Sequence, residues 1–129
     1  MTSSLMILVA GPYRSGTGDD PVLVNMNLRR LEAATLPLFE AGHLPVVAEW
    51  LSLPVARVAG STRVGDEVSE RYLYPTAARL LERCEGVLRL PGASAGADQD
   101  VAIARERGIP VWHALEDVPG VRLPAPVGR

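Results

Sequence analysis

The first strong signal along the chain is a run of six apolar residues, Leu5–Ala10 (LMILVA). Its length suits a strand, and its unbroken apolarity predicts a parallel strand covered on both faces. Asp20-Pro21 then reads as a helix start, with Asp as N-cap and Pro at the first helical position. Apolar positions from Val24 to Phe39 extend that helix to about Ala41, with Pro37 kinking it or sitting near its last turn, and Gly42 ending it. Leu44–Ala48 (LPVVA) is the second predicted strand. Trp50–Ala59 is a short apolar segment that fits a helix broken by Pro54. Residues 60–68 form a polar loop. Leu73, Thr76, Ala77, Leu80, Leu81 and Cys84 carry helical spacing over 70–83. Val87–Leu90 is a third strand, 91–96 its exit loop, and 97–107 a helix stopped by Gly108. Ile109–His113 is a fourth strand, with a helical turn expected at 114–118 and a loose tail over 119–129.

This order, β-α-β-(α)-α-β-α-β without internal repeat, predicts α/β architecture. The expectation is a single Rossmann-like or flavodoxin-like domain over 1–129, with a parallel sheet of four to five strands flanked by helices. In such sheets the ligand crevice lies at the carboxyl ends of the strands. Two glycine-rich loops, 11–18 (GPYRSGTG) and 91–96 (PGASAG), leave those ends and are expected to face one crevice.

Composition narrows the function classes. The 129 residues fit one core, and 47% hydrophobic with 22% charged residues matches a globular domain rather than a disordered chain. A net charge of −2 and few aromatics argue against nucleic-acid partners. One cysteine, Cys84, excludes an internal disulfide and is expected to be buried. His43 and His113 are too far apart in sequence to suggest a zinc site, and no Cys/His ligand set is present, so no metal and no cofactor are expected. The N-terminal stretch is too short and uncharged for a signal peptide, and no apolar run nears 18 residues. The expectation is a cytoplasmic protein with no membrane partner.

The first loop nearly spells a P-loop: Gly11, four residues, Gly16, Thr17. The lysine that pattern requires is absent, and the nearest cation is Arg14. Backbone N–H groups, Arg14, Ser15 and Thr17 still make suitable anion-binding equipment. A dinucleotide fingerprint is disfavoured, because GxGxxG is absent and no acidic residue ends the second strand before Glu49. In the second loop, Ser94 and Gly96 precede a helix whose start carries Asp98 and Asp100. These acids read either as partners of the helix dipole or as catalytic carboxylates. Trp50, Tyr72 and Tyr74 read either as base-stacking surfaces or as interface residues; His113 reads as structural.

Taken together, AGPYRSG after the first strand and CEGVLRLPGASAGADQDVAIARERGIPV later resemble the nucleoside 2-deoxyribosyltransferase superfamily. The likeness is greatest to its small bacterial branch and extends to the 2′-deoxynucleoside 5′-phosphate N-hydrolases. It covers roughly residues 5–113 and is weak over 50–75. The resemblance implies a carboxylate nucleophile four residues after the loop glycine, which is Asp100. It implies a phosphate-contacting serine at Ser94 and a first-loop arginine at Arg14. The expected binding set is Gly11, Tyr13, Arg14, Ser15, Gly16, Thr17, Ser94 and Gly96. The small-molecule partner is a nucleoside or nucleotide, and the family suggests a homodimer.

The chain departs from the family at three positions. Asp100 is one methylene shorter than the family glutamate, Ala77 stands where members often carry an aspartate, and Leu8 replaces a common tyrosine. Asp98 or Asp66 is then the candidate acid, with Glu67 or Glu70 as further substitutes, from this chain or a neighbouring subunit. The expected function is cleavage or transfer of an N-glycosidic bond. A catalytically inactive nucleotide-binding module is the alternative.

Overall fold

The computed structural model describes residues 3–123. Four strands, β1 (Met6–Ala10), β2 (Leu44–Val46), β3 (Gly86–Arg89) and β4 (Val111–Trp112), form one sheet in the order β2-β1-β3-β4. Every pairing is parallel: Met6 faces Leu44, Ala10 faces Arg89, and Leu88 faces Trp112. The helices are α1 (Pro21–Ala33), α2 (Thr35–Glu40), α3 (Ala48–Val58), α4 (Glu67–Leu81) and α5 (Ala95–Arg107), with a 3-10 turn at Leu115–Asp117. The expected α/β class and parallel four-strand sheet are present. Of the tail expected at 119–129, residues 124–129 lie outside the described residues.

The continuous apolarity of β1 has a direct structural cause. Side chains alternate across a strand, so both faces need cover. Leu8 and Ala10 pack with Val87, Ala77, Leu81, Cys84 and Ala104 beneath α4 and α5. Ile7 and Val9 pack on the opposite face with Leu31, Leu38, Leu88 and Val118. Cys84 is buried in the first of these cores. His43, also buried, accepts at Nδ1 from the Leu5 N–H (3.1 Å), and its Nε2 lies 2.7 Å from the Pro119 carbonyl. The histidine thereby ties the entry of β1 to the C-terminal segment.

Strand and helix ends shift by one or two residues at several places, α5 starting at Ala95 and β4 covering only Val111–Trp112, and four differences have a clear physical cause. The helix expected over 21–41 is two helices, because Pro37 has no N–H for the Ala33 carbonyl and its ring crowds that oxygen. Pro37 instead falls in the first turn of α2, where the missing donor costs nothing. Pro54, by contrast, does not break α3, and neither does Pro75 break α4. Both prolines are exposed, so water can satisfy the carbonyl each one frees. Strand β2 stops at Val46 rather than Ala48, which moves Glu49 into the first turn of α3. Helix α4 begins at Glu67 rather than Glu70, because Asp66 caps it by accepting from the Ser69 N–H at 2.8 Å.

Gly86 opens β3 directly beneath the six-membered ring of Trp112, where a Cβ would overlap the ring. Gly86→Ala should therefore push Trp112 off the sheet and cost about 1–3 kcal/mol, the usual range for overpacking. A urea unfolding midpoint checks this; an unchanged midpoint would show that the indole relaxes freely.

Candidate functional site

Parallel pairing points every strand's carboxyl end the same way, and a cleft opens there between β1, α3, α4 and α5. Its atom-free space is about 650 Å³, part of it open to solvent. Small side chains make the room: Ala10, Ala48, Ala77 and Ala97 line it where larger residues would fill it. The two glycine-rich loops do meet. Gly92, at φ +114, presents its bare Cα to the Pro12 ring, at a distance no Cβ could tolerate. The cleft wall therefore carries Gly11, Tyr13, Arg14 and Ser15 from one loop, and Ser94 and Gly96 from the other.

Arg14 is held on two sides. Its Nε and Nη2 donate to Asp19 Oδ1 at 3.0 and 2.8 Å, and its Nη1 pairs with Glu70 Oε1. The guanidinium lies close against Gly65, whose φ of +79 and missing side chain both suit this approach. Ser94 is the N-cap of α5 and accepts from the Ala97 N–H at 3.1 Å, leaving its own hydroxyl proton to donate elsewhere. The Thr17 hydroxyl is committed inside the loop: it donates to the Arg14 carbonyl at 2.5 Å and accepts from the Asp19 N–H at 3.2 Å. Thr17 and Gly16 shape the loop and do not line the cleft.

Three carboxyl groups line the cleft: Glu70, paired with Arg14, and Asp100 and Glu49, which form no ion pair among the described residues. Asp100, in the second turn of α5, is pushed up to about 7, chiefly by burial and then by the charge of Glu49, with Arg89 pulling the other way. Glu49, in the first turn of α3, is itself almost fully buried, and burial raises its pKa despite a hydrogen bond from its own N–H. Tyr13 is raised to about 12 by burial and by Glu49, partly offset by Arg14, so it stays a neutral phenol. A carboxylic acid and a carboxylate can therefore coexist here near neutral pH, an arrangement suited to acid–base work. The sequence reading passed over Glu49. The signal was present: an acid directly after a strand in an α/β chain falls at the crevice.

The other candidate acids lie elsewhere. Asp98 points away from the cleft and pairs with Arg89, its Oδ1 2.8 Å from Arg89 Nη2. Asp66 is a cap and loop clamp that accepts from Ser61, Thr62, Arg63 and Ser69, and these hydrogen bonds hold its carboxyl down at about 2. Neither lines the cleft, and nor does Glu67; Glu70 does, paired with Arg14. Ala77 lines it too, so no acid reaches the cleft from that position. Among the aromatics Tyr74 forms part of the wall. Trp50 faces away and donates to Glu32 Oε2 at 2.7 Å, and Tyr72 lies outside the lining.

Among the described residues no group of three or more His, Cys, Asp or Glu could hold a metal ion, and no helix is long and apolar enough to cross a membrane. No protein-family model matches the chain, and no curated protein matches it.

A carboxyl whose folded pKa is raised binds its proton more tightly when folded. Its contribution is fully present below the unfolded value, near 4, and is lost as pH rises through about 7. Asp100→Asn should therefore be more stable than the parent at pH 8, with the difference vanishing toward pH 4. Thermal unfolding across that range checks the sign. A carboxyl titration by NMR should place Asp100 near 7 and show it falling in Glu49→Gln.

Proposed function

We propose that the cleft cleaves or transfers the N-glycosidic bond of a nucleoside or nucleoside 5′-monophosphate. The observation that carries this reading is that a part-buried Asp100 and a buried Glu49 line one cleft walled by both glycine-rich loops, each with a raised pKa. The likeness of those loops to the nucleoside 2-deoxyribosyltransferase superfamily supports it. Asp100 stands at the family's nucleophile position, and Ser94 and Arg14 stand at its binding positions. Glu49 supplies from α3 the acid that Ala77 cannot supply from α4.

In this reading the proton that the coupled pair retains near neutral pH rests on Glu49 in the reactive form, and the ionised Asp100 attacks the anomeric carbon. The C–N bonding pair leaves with the base, and the protonated Glu49 donates its proton to a base nitrogen. The product of this half is a glycosyl ester on Asp100. Water, or a nitrogen of a second base, then attacks the same carbon. Glu49 takes the proton of the incoming group, and the Asp100 carboxylate is released, following the two-carboxylate logic of retaining glycosidases. Tyr74 offers an aromatic wall for the base, and Ser94 donates to the sugar end. The exposed stripe Leu51, Val55 and Val58 on α3, spaced to share one helix face, supports a second copy of this chain as partner.

Release of free base from a panel of nucleosides and 5′-nucleotides tests the reading. Asp100→Ala should lower kcat/KM by about a thousandfold or more, as loss of a nucleophile does. Glu49→Gln should lower it by about a hundredfold, most for bases that leave poorly. The substitution of Asp for Glu and the loss of an acid at Ala77 favour a second reading, a nucleotide-binding module. That reading predicts thermal stabilisation by these ligands with no base released.

A further inference from the structure

Arg14 is the cation that the first loop offers to an anion, yet two carboxylates already engage it. Asp19 holds Nε and Nη2, and Glu70 holds Nη1 from the first turn of α4. Glu70 lines the cleft beside Arg14 and Ser15, and both members of its pair are about two-thirds buried, so solvent screens them only in part. The local balance around the guanidinium is negative before any ligand arrives. Glu49 and Asp100 can only add to that negative charge as they ionise.

We infer that Glu70 is a specificity-determining residue: its carboxylate occupies the position on Arg14 that a 5′-phosphate would need, so the cleft selects against phosphomonoesters in favour of the uncharged nucleoside. This rests on the N-glycosidic reading above and reverses the preference that Arg14 and Ser94 suggest by themselves. A phosphomonoester carries about two negative charges near neutral pH. To reach Arg14 it must displace Glu70 and leave that carboxylate close by, a like-charge contact that specific sites use to reject wrong ligands. A nucleoside presents a 5′-hydroxyl instead, which can hydrogen-bond to Ser94 or Ser15 without disturbing the Arg14–Glu70 pair.

The test compares the wild type with Glu70→Gln, using one 2′-deoxynucleoside and its own 5′-monophosphate. The wild type should favour the nucleoside in kcat/KM, and Glu70→Gln should raise the nucleotide-to-nucleoside ratio by about tenfold or more. A binding measurement runs in parallel and needs no turnover. Deoxyribose 5-phosphate should stabilise Glu70→Gln against heat in a saturable way and leave the wild type unmoved. Glu70→Ser provides a second variant, lacking both charge and reach, that should move in the same direction. A wild type that prefers the nucleotide, or a ratio that stays constant across the variants, overturns the assignment of Glu70 and leaves the N-glycosidic reading standing. Selective sugar-phosphate binding by the variants with no base released from any substrate sinks the glycosidic reading and upholds the role of Glu70.

Discussion

Parallel pairing of β1 between β2 and β3 is the constraint on which everything else in this protein depends. A parallel strand needs a crossover to reach its neighbour, so every connection carries a helix and both sheet faces become covered. The same geometry sends every strand's exit to one edge. Five residues from Met6 to Ala10, apolar without alternation, supply the central strand and divide their side chains between two cores. The cleft forms where the loops after β1 and β3 and the start of α3 converge on that edge.

The chemistry follows from what the edge excludes. Alanines at 10, 48, 77 and 97 leave space but bring few polar partners, so Asp100 and Glu49, unlike Glu70 beside Arg14, lose hydration without forming an ion pair among the described residues. Burial is accordingly the largest cause of the raised pKa at both Asp100 and Glu49. Acids at the rim behave oppositely. Asp66 is part-buried but accepts four hydrogen bonds, and its proton is lost far more easily. Asp98 meets Arg89, and Glu70 and Asp19 meet Arg14. Position relative to the sheet edge thus sorts chemically similar side chains into caps, ion pairs and the two cleft carboxyls, Asp100 and Glu49, that have no ion pair among the described residues.

Much of the fold was legible because local signals agreed with the global topology. The β1 run, the Asp20-Pro21 start of α1 and the Gly108 stop of α5 each carry their own physical cause. The misses share one as well. Pro37 and Pro54 look alike in sequence, yet their effect depends on helix phase and on whether the freed carbonyl meets solvent, which only tertiary structure decides. The site divides similarly. That the two loops meet followed from strand order, whereas Asp100 was singled out only by the resemblance of those loops. That Asp98, two residues earlier, faces away toward Arg89 depends on the rotation of α5, which two neighbouring acids in sequence do not reveal. Glu49 could have been found by asking which acids follow strands, rather than which acids sit near glycines.

The central claim is that Asp100 forms a covalent bond to a sugar while Glu49 manages the proton. Mass spectrometry after incubation with a 2′-fluoro-arabinonucleoside carrying a base that leaves readily tests it most directly, because the fluorine destabilises the oxocarbenium-like transition states of both steps while the good leaving group keeps formation of the glycosyl ester faster than its hydrolysis. The account predicts that the protein gains the mass of the fluorinated pentosyl group, that free base is released in equal amount, and that peptide mapping places the adduct on Asp100. Release of base with no adduct, or an adduct on Glu49 or another residue, would contradict it.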